Sequence, residues 1–155
     1  MVREDRRPDG FSLLELMVVL AIAGAVLGFG YPRLALLTAH YRLDGAARNL
    51  ALTLQKARLR AIGEGQCFQV SFDSAGRSFQ VAKKVGASPC GASGFTNEGS
   101  AQAIDAAGRI AVSATANPVF GPRGGAETTS IVTLTSPTES VRLVAVNAAG
   151  RIDVQ

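Results

Sequence analysis

Glu15 is the residue whose type and position could do chemistry, because it is a carboxylate near the start of an otherwise apolar run. No charged side chain occurs from Leu16 to Pro32, close to the roughly 17–25 residues with which a helix crosses a bilayer. A carboxylate in hydrocarbon costs about 2.5–3.5 kcal/mol, so it usually has a specific partner. Arg7 lies two turns back, beyond a proline and a glycine. The neutralising group must therefore come from elsewhere.

A cut between Gly10 and Phe11 would supply that group. It would create a free α-amine four residues before Glu15, and an amine with a pKa of about 7.7–8.0 is mostly protonated at neutral pH. The amine could pair with Glu15 of its own chain or of a neighbour in an assembly. Two other interpretations stay open: a secretory signal cut at Ala23-Gly24-Ala25, and a membrane anchor in which Glu15 has no assigned role.

Residues 10–22 read GFSLLELMVVLAI and resemble the cleavage signal of type IV prepilins and type II secretion pseudopilins. The resemblance implies that a prepilin peptidase cuts after Gly10 and N-methylates Phe11, and that Glu15 is the assembly carboxylate. It also implies a single-pass inner-membrane protein whose C-terminal domain is periplasmic and which later enters a pilus or pseudopilus. Asp9 departs from the family pattern, in which the residues before the glycine are basic or neutral.

One long helix must position this segment, and we predict it from about Phe11 to about Ile62, ending at Gly63 and Gly65. Its second half carries one apolar stripe at three- and four-residue steps, formed by Leu36, Leu37, His40, Leu43, Ala47, Leu50, Leu54, Ala57 and Ala61. Pro32 predicts a kink or a local melt near residues 28–32. The predicted domains are a cleaved leader (1–10), a transmembrane and filament-core half-helix (11–39) and a periplasmic globular domain (40–155).

The rest of the chain has the pattern of an antiparallel β domain. Residues 67–72 alternate in period two, and a turn signal at 73–76 predicts 78–83 as the return strand of a hairpin. Further strands are predicted at 110–113, 130–135, 140–146 and 151–154, and Ile104 opens another strand region. Residues 86–101, rich in Gly, Ser and Ala, predict a loop. The fold class is therefore α+β. The resemblance implies a pilin-like fold, with the long N-terminal helix, its first half transmembrane, packed on a C-terminal antiparallel β-sheet domain.

Cys67 and Cys90 are the two cysteines of the chain. Export to an oxidising compartment predicts a disulfide between them, which contributes roughly 3 kcal/mol in the chain-entropy model. Two free buried thiols are the alternative. No metal or cofactor site is predicted, because the one histidine, His40, lies far from both cysteines in sequence and two cysteines do not make a zinc site.

No catalytic constellation occurs in the sequence, which indicates a substrate of the processing peptidase and not an enzyme. The net charge is +4, and removing residues 1–10 leaves it unchanged, because that leader holds three arginines and three acidic residues. Residues 119–124 and 146–151 resemble the GspH/FimT group of minor pilins. The resemblance implies a subunit that primes a type IV pilus or type II secretion pseudopilus together with other major and minor pilins or pseudopilins.

The resemblance also raises DNA as an alternative partner. Some FimT-like minor pilins bind DNA during natural transformation through a C-terminal Gly-Arg-x-Arg tail. The matching residues here are 150–153, in which Asp153 replaces the second arginine and would repel phosphate. The residues of a possible basic patch are Arg109, Arg123, Arg142 and Arg151, and binding there would depend strongly on salt.

Overall fold

The computed structural model describes residues 11–84, 90, 91 and 93–155, and for residues 29–36 it describes the backbone alone. The chain forms two compact units, Met1–Leu37 and Thr38–Gln155. The predicted leader, residues 1–10, and residues 85–89 and 92 of the predicted loop lie outside the described part.

Helix α1 (Leu13–Glu64) forms about the first third of the described chain. Ser12 precedes it, and its carbonyl accepts the first helical hydrogen bond from the Leu16 N–H at 3.1 Å. At the other end Gly65 has a φ of +64°, and the Gln66 N–H donates to the Ala61 carbonyl at 3.2 Å. This closure satisfies carbonyls that the last turn would otherwise leave free. The helix thus ends two residues after the predicted end.

Of the predicted kink or local melt near Pro32, the melt is wrong, since α1 continues through that residue without interruption, and the kink stays a prediction. Proline removes one N–H donor, and that single loss does not end the helix. Among the residues whose side chains are described, no helix contains a stretch long and apolar enough to span a membrane.

Nine strands follow in the described part of the chain. They are β1 (Phe68–Asp73), β2 (Ser78–Lys84), β3 (Phe95–Ala103), β4 (Ala111–Ala114), β5 (Val119–Phe120), β6 (Ala126–Thr128), β7 (Ser130–Thr135), β8 (Val141–Val146) and β9 (Ile152–Val154). They form a five-stranded sheet in the order β3-β2-β1-β5-β6 and a four-stranded sheet in the order β4-β7-β8-β9. All pairings are antiparallel. The α+β pilin-like fold is confirmed, with two sheets where the sequence suggested one.

Two sequence-based strand assignments are wrong. Residues 95–101 of the predicted loop at 86–101 belong to β3, which pairs along β2 through its backbone and carries few apolar residues that could reveal it. Ile104 does not open a strand: its N–H bonds to the Arg77 carbonyl, and a turn follows in which the Gly108 N–H donates to the Asp105 carbonyl. Ile104 is buried, so its apolar character reflects the core and not a strand.

The core lies between α1 and the inner faces of both sheets. The helix contributes its predicted stripe from Leu43 onward, and the sheets contribute mainly aromatic and β-branched residues. Fully buried side chains on the two sides include Leu43, Leu50, Leu54, Phe68, Val70, Phe120, Val132, Leu134 and Val144. Two predicted members of the stripe, Leu37 and His40, are exposed. The packed part of α1 therefore begins after them.

Candidate functional sites: the N-terminal segment and the C-terminal turns

The N-terminal segment places Glu15 in the first turn of α1, two residues after the helix begins. A carboxylate there also interacts favourably with the free N–H groups of the helix end, by about 0.3–1 kcal/mol. Phe11 precedes the helix and is 83% exposed. Gly10 lies outside the described residues, so of the predicted processing and assembly residues the structure describes Phe11 and Glu15.

The first turns of α1 present an apolar surface on every side. Residues 11–28 are all exposed, and the large apolar side chains among them keep between 48% (Val18) and 83% (Phe11) of their surface accessible. Monomeric soluble proteins rarely expose apolar patches of more than a few hundred Å², and larger ones mark contact with protein or membrane.

The predicted disulfide is confirmed between Cys67 and Cys90, whose Cα atoms are 5.6 Å apart. It ties the start of β1 to the segment before β3. The buried Lys84 holds the same segment by donating to the carbonyl oxygens of Ser93 (2.7 Å) and Gly91 (3.4 Å). Its ammonium also lies 5.4 Å from the centre of the Phe95 ring. A covalent link and a buried cation thus fix the entry into β3.

Two glycine-containing turns interlock at the C-terminal side of the fold. The first is residues 121–125, between β5 and β6, and the second is residues 147–150, between β8 and β9. The Ala126 N–H donates to the Ala148 carbonyl at 3.0 Å. Gly124 and Gly150 have φ values of +80° and +74°, and a Cβ on Gly150 would collide with the Gly124 carbonyl. We call this pair the interlocked turns.

Arg58 fastens the interlocked turns to α1. Its Nε donates to the Gly124 carbonyl at 2.7 Å, and its Nη2 donates to the Ala149 carbonyl at 3.4 Å. Arg58 was not predicted from the sequence, because a basic residue near a helix end is already explained by the helix dipole. The two glycines were the available signal, since glycine after a short apolar strand often marks a close backbone approach.

The structure divides the four arginines of the predicted DNA patch into two pairs. Arg123 lies in the first of the interlocked turns, next to Gly124, and Arg151 directly follows Gly150 of the second; both are exposed. Arg142 lies four residues from the β8 end that adjoins Arg151, or about 13 Å along the strand. Arg109 lies two residues before β4. Ala111 of β4 pairs with Thr135, and Thr135 pairs with Val141, so Arg109 lies at the same end of the sheet as Arg142.

Carboxylates neutralise two of these arginines. Arg142 Nε lies 2.7 Å from an Asp44 oxygen of α1, and Arg151 Nε lies 3.0 Å from an Asp153 oxygen. The first pair is half-buried and ties β8 to the helix, whereas Arg151 is 75% exposed in its side chain. Arg151 can therefore exchange its partner more easily than Arg142.

A four-charge network closes the C-terminal end of α1. Arg60 binds Glu64 (2.8 Å) and Glu98 of β3 (2.6 Å), and Lys83 of β2 binds Glu64 (2.5 Å). The Arg60 guanidinium also covers the ring of the buried Phe68 at 4.5 Å. The pKa of the Glu64 carboxyl is lowered because it accepts hydrogen bonds from Lys83 and then Arg60, and the pKa of Arg60 is raised chiefly by its bond to Glu98.

The described part of the chain contains no group of three or more His, Cys, Asp or Glu side chains that could hold a metal ion. The exposed apolar surface of residues 11–28 suits contact with other molecules. The disulfide and the interlocked turns make the globular part of the chain rigid.

Comparisons with known proteins agree with this description. Residues 5–31 match the prokaryotic N-terminal methylation motif, and residues 46–150 match the type II transport protein GspH. The pilin-like protein PilA1 of Thermus thermophilus is 47% identical over 53 residues. That match covers 34% of this chain and 33% of the relative's length.

Two solved structures share the fold. The minor pseudopilin EpsH of Vibrio cholerae aligns with a TM-score of 0.58 at 12% identity, over 74% of this chain and 96% of the other. The type IV minor pilin FimU of Pseudomonas aeruginosa aligns with a TM-score of 0.55 at 20% identity, over 77% and 92%. The GspH match covers well over half of the sequence and follows an N-terminal methylation motif. The chain therefore belongs to the GspH family of type II transport proteins, the minor pilins and pseudopilins.

Proposed function

We propose that this chain is an assembly subunit that primes a type IV pilus or a type II secretion pseudopilus. One observation carries the proposal: the first turns of α1 expose apolar side chains on every side and hold a single carboxylate, Glu15, in their first turn. Such a surface needs lipid before assembly and other helices after it. The role is structural and not catalytic.

The proposed life cycle follows from the methylation motif and this surface. Prepilin peptidase removes residues 1–10 and N-methylates Phe11. Residues 11–39 then hold the chain in the inner membrane as a single span, and residues 40–155 stand in the periplasm, where Cys67 and Cys90 are oxidised. The new amine pairs with Glu15 of an adjacent subunit, which removes the cost of a lone carboxylate in an apolar core.

The test compares full-length wild type with Glu15→Ala and with Glu127→Ala, which removes an exposed carboxylate on β6. Intact mass should show loss of residues 1–10 and gain of one methyl group in all three chains. Incorporation is the share of the chain found in filaments sheared from cells, and it should fall about tenfold or more for Glu15→Ala alone. A tenfold fall corresponds to a loss of ~1.4 kcal/mol in the free energy of incorporation. Normal incorporation of Glu15→Ala would refute the role of that carboxylate.

A second candidate function is DNA binding, favoured by the placement of Arg123 and Arg151 next to Gly124 and Gly150, whose backbones meet in the interlocked turns. The test is DNA binding by residues 40–155 at two salt concentrations. Arg123→Ala and Arg151→Ala should each weaken binding and reduce the salt slope by about one, whereas Arg109→Ala at the other sheet end should not. Binding that is insensitive to all three substitutions, or absent at low salt, would reject this function.

A further inference from the structure

The four-stranded sheet has one face that no described element covers. Side chains alternate between faces along a strand, and one set, including Val112, Val132, Leu134 and Val144, is buried in the core. The alternate set points outward and is brought side by side by the strand register, which aligns Ser113 with Thr133 and Thr133 with Leu143. We define the outer face by Ser113, Ile131, Thr133, Thr135, Val141 and Leu143.

The outer face is uncharged and rich in β-branched residues. Ile131 is 48% exposed and Val141 is 44% exposed, and between them Thr133 and Leu143 are half-buried by their neighbours alone. The charged neighbour on β9 is Asp153, which aligns with Ala145 and is already paired with Arg151. None of the six residues that define the outer face is a cation, so the face does not suit a polyanion or an anionic lipid surface, because both are bound through Lys and Arg. It suits another uncharged protein surface.

The size of the outer face limits what can occupy it. Three strands about 4.8 Å apart and five residues of about 3.3 Å each give roughly 14 by 17 Å, or about 250 Å². Two such faces in contact would bury about 500 Å², well below the ~1,200 Å² of a stable interface between free proteins. A partner can therefore stay there only if something else already holds it nearby, which raises its effective concentration.

We infer that the outer face docks the globular domain of the neighbouring pilin-type subunit, sheet against sheet, once the N-terminal helices have brought the two subunits together. The inference rests on the proposed function, which supplies the tether. Sheets pack face to face about 10 Å apart with the side chains of the two faces interdigitated, and the outer face offers short apolar and hydroxyl side chains for such a contact. It fits a partner with an equally flat, uncharged strand surface.

The experiment places a lysine in the outer face of the full-length chain. Thr133→Lys puts it at the centre and Val141→Lys puts it near the edge, and Gln102→Lys adds the same charge to an exposed position of β3 in the other sheet. Cellular abundance and resistance to protease report whether each variant is folded. Burying an unpaired charge is costly, so incorporation into sheared filaments should fall about tenfold for Thr133→Lys and stay within about twofold for Gln102→Lys.

A photoreactive side chain at position 133 identifies the occupant, with position 102 as its control. An adduct with a protein that carries a prepilin-type N-terminus, at position 133 and not at 102, supports the inference. Folded Thr133→Lys and Val141→Lys chains that enter filaments as wild type does, or an adduct with a protein of another class, overturn it. Wild-type chain absent from filaments would instead reject the proposed function, so the two failures are distinguishable.

Discussion

Gly150→Ala tests whether the interlocked turns are as tight as the structure shows. A Cβ at this position would lie far inside van der Waals contact with the Gly124 carbonyl oxygen and 3.0 Å from Arg58 Nε. The obstructing atoms include backbone, so they cannot move aside as the tip of a flexible side chain would. The two turns must separate, and the hydrogen bond from Arg58 to Gly124 must lengthen or break.

The expected loss of stability has two parts. Holding alanine at a φ of +74° costs about 1–2 kcal/mol. Weakening a hydrogen bond from a charged donor costs about 1.5–3 kcal/mol. Together they predict a decrease of about 2.5–5 kcal/mol in the free energy of unfolding, a large part of the roughly 5–15 kcal/mol that holds a domain together.

Gly108→Ala is the matched control. Gly108 has a φ of +61°, and no heavy atom lies within 4 Å of its would-be Cβ. Gly108→Ala bears only the cost of holding alanine at a positive φ, so the free energy of unfolding should fall by ~1–2 kcal/mol. The assay is urea unfolding of a chain that begins at Thr38, where the second compact unit begins. Equal destabilisation by the two substitutions would show that the turns do not interlock. It would also refute the inference that Arg58 fastens the interlocked turns to α1.

Three further variants test other contacts of the same domain. Arg58→Lys should lower the free energy of unfolding by about 1.5–3 kcal/mol in the same assay, because an ammonium cannot reproduce the fork that reaches two carbonyls. Cys67→Ser with Cys90→Ser should cost roughly 3 kcal/mol, and reductant should then destabilise the wild type but not the double variant. Glu64 has a lowered pKa in the folded state because Lys83 and then Arg60 donate to it, so its stabilising contribution is present above its ordinary pKa of 4.5 and is lost as pH falls through the lower folded value. Glu64→Gln should therefore flatten the decline in stability below about pH 4.5, and an unchanged pH profile would contradict the network.

The sequence predicted the elements whose pattern repeats. The stripe of α1 from Leu43 to Ala61 is long and strictly spaced, so its buried face was correctly assigned. Strands β7 and β8 are rich in β-branched and apolar residues, and their predicted bounds differ from the observed ones by one residue at most. In each case the residue types and spacing within the segment carry the information.

The elements that were missed are stabilised by contacts distant in sequence. Strand β3 has an irregular exposed pattern, because it lies at a sheet edge and bulges opposite Phe79–Val81. Strand β5 has two residues and β6 has three, too few for a period to show. Arg58 contacts carbonyls 66 and 91 residues away, and no local pattern can indicate such a partner.

The interlocked turns change how the C-terminal motif should be weighed. A Gly-Arg dipeptide at 150–151 resembles half of a DNA-binding tail, but packing already requires the glycine, since a Cβ there would collide with the Gly124 backbone. Arg151 is therefore the only residue of the dipeptide that could indicate DNA binding. It is paired with the carboxylate of Asp153, 3.0 Å away. DNA binding therefore depends on whether Arg151 and Arg123 together attract phosphate more strongly than Asp153 repels it. The proposed assembly function needs no such balance, because it rests on an apolar surface whose exposure to water is unfavourable.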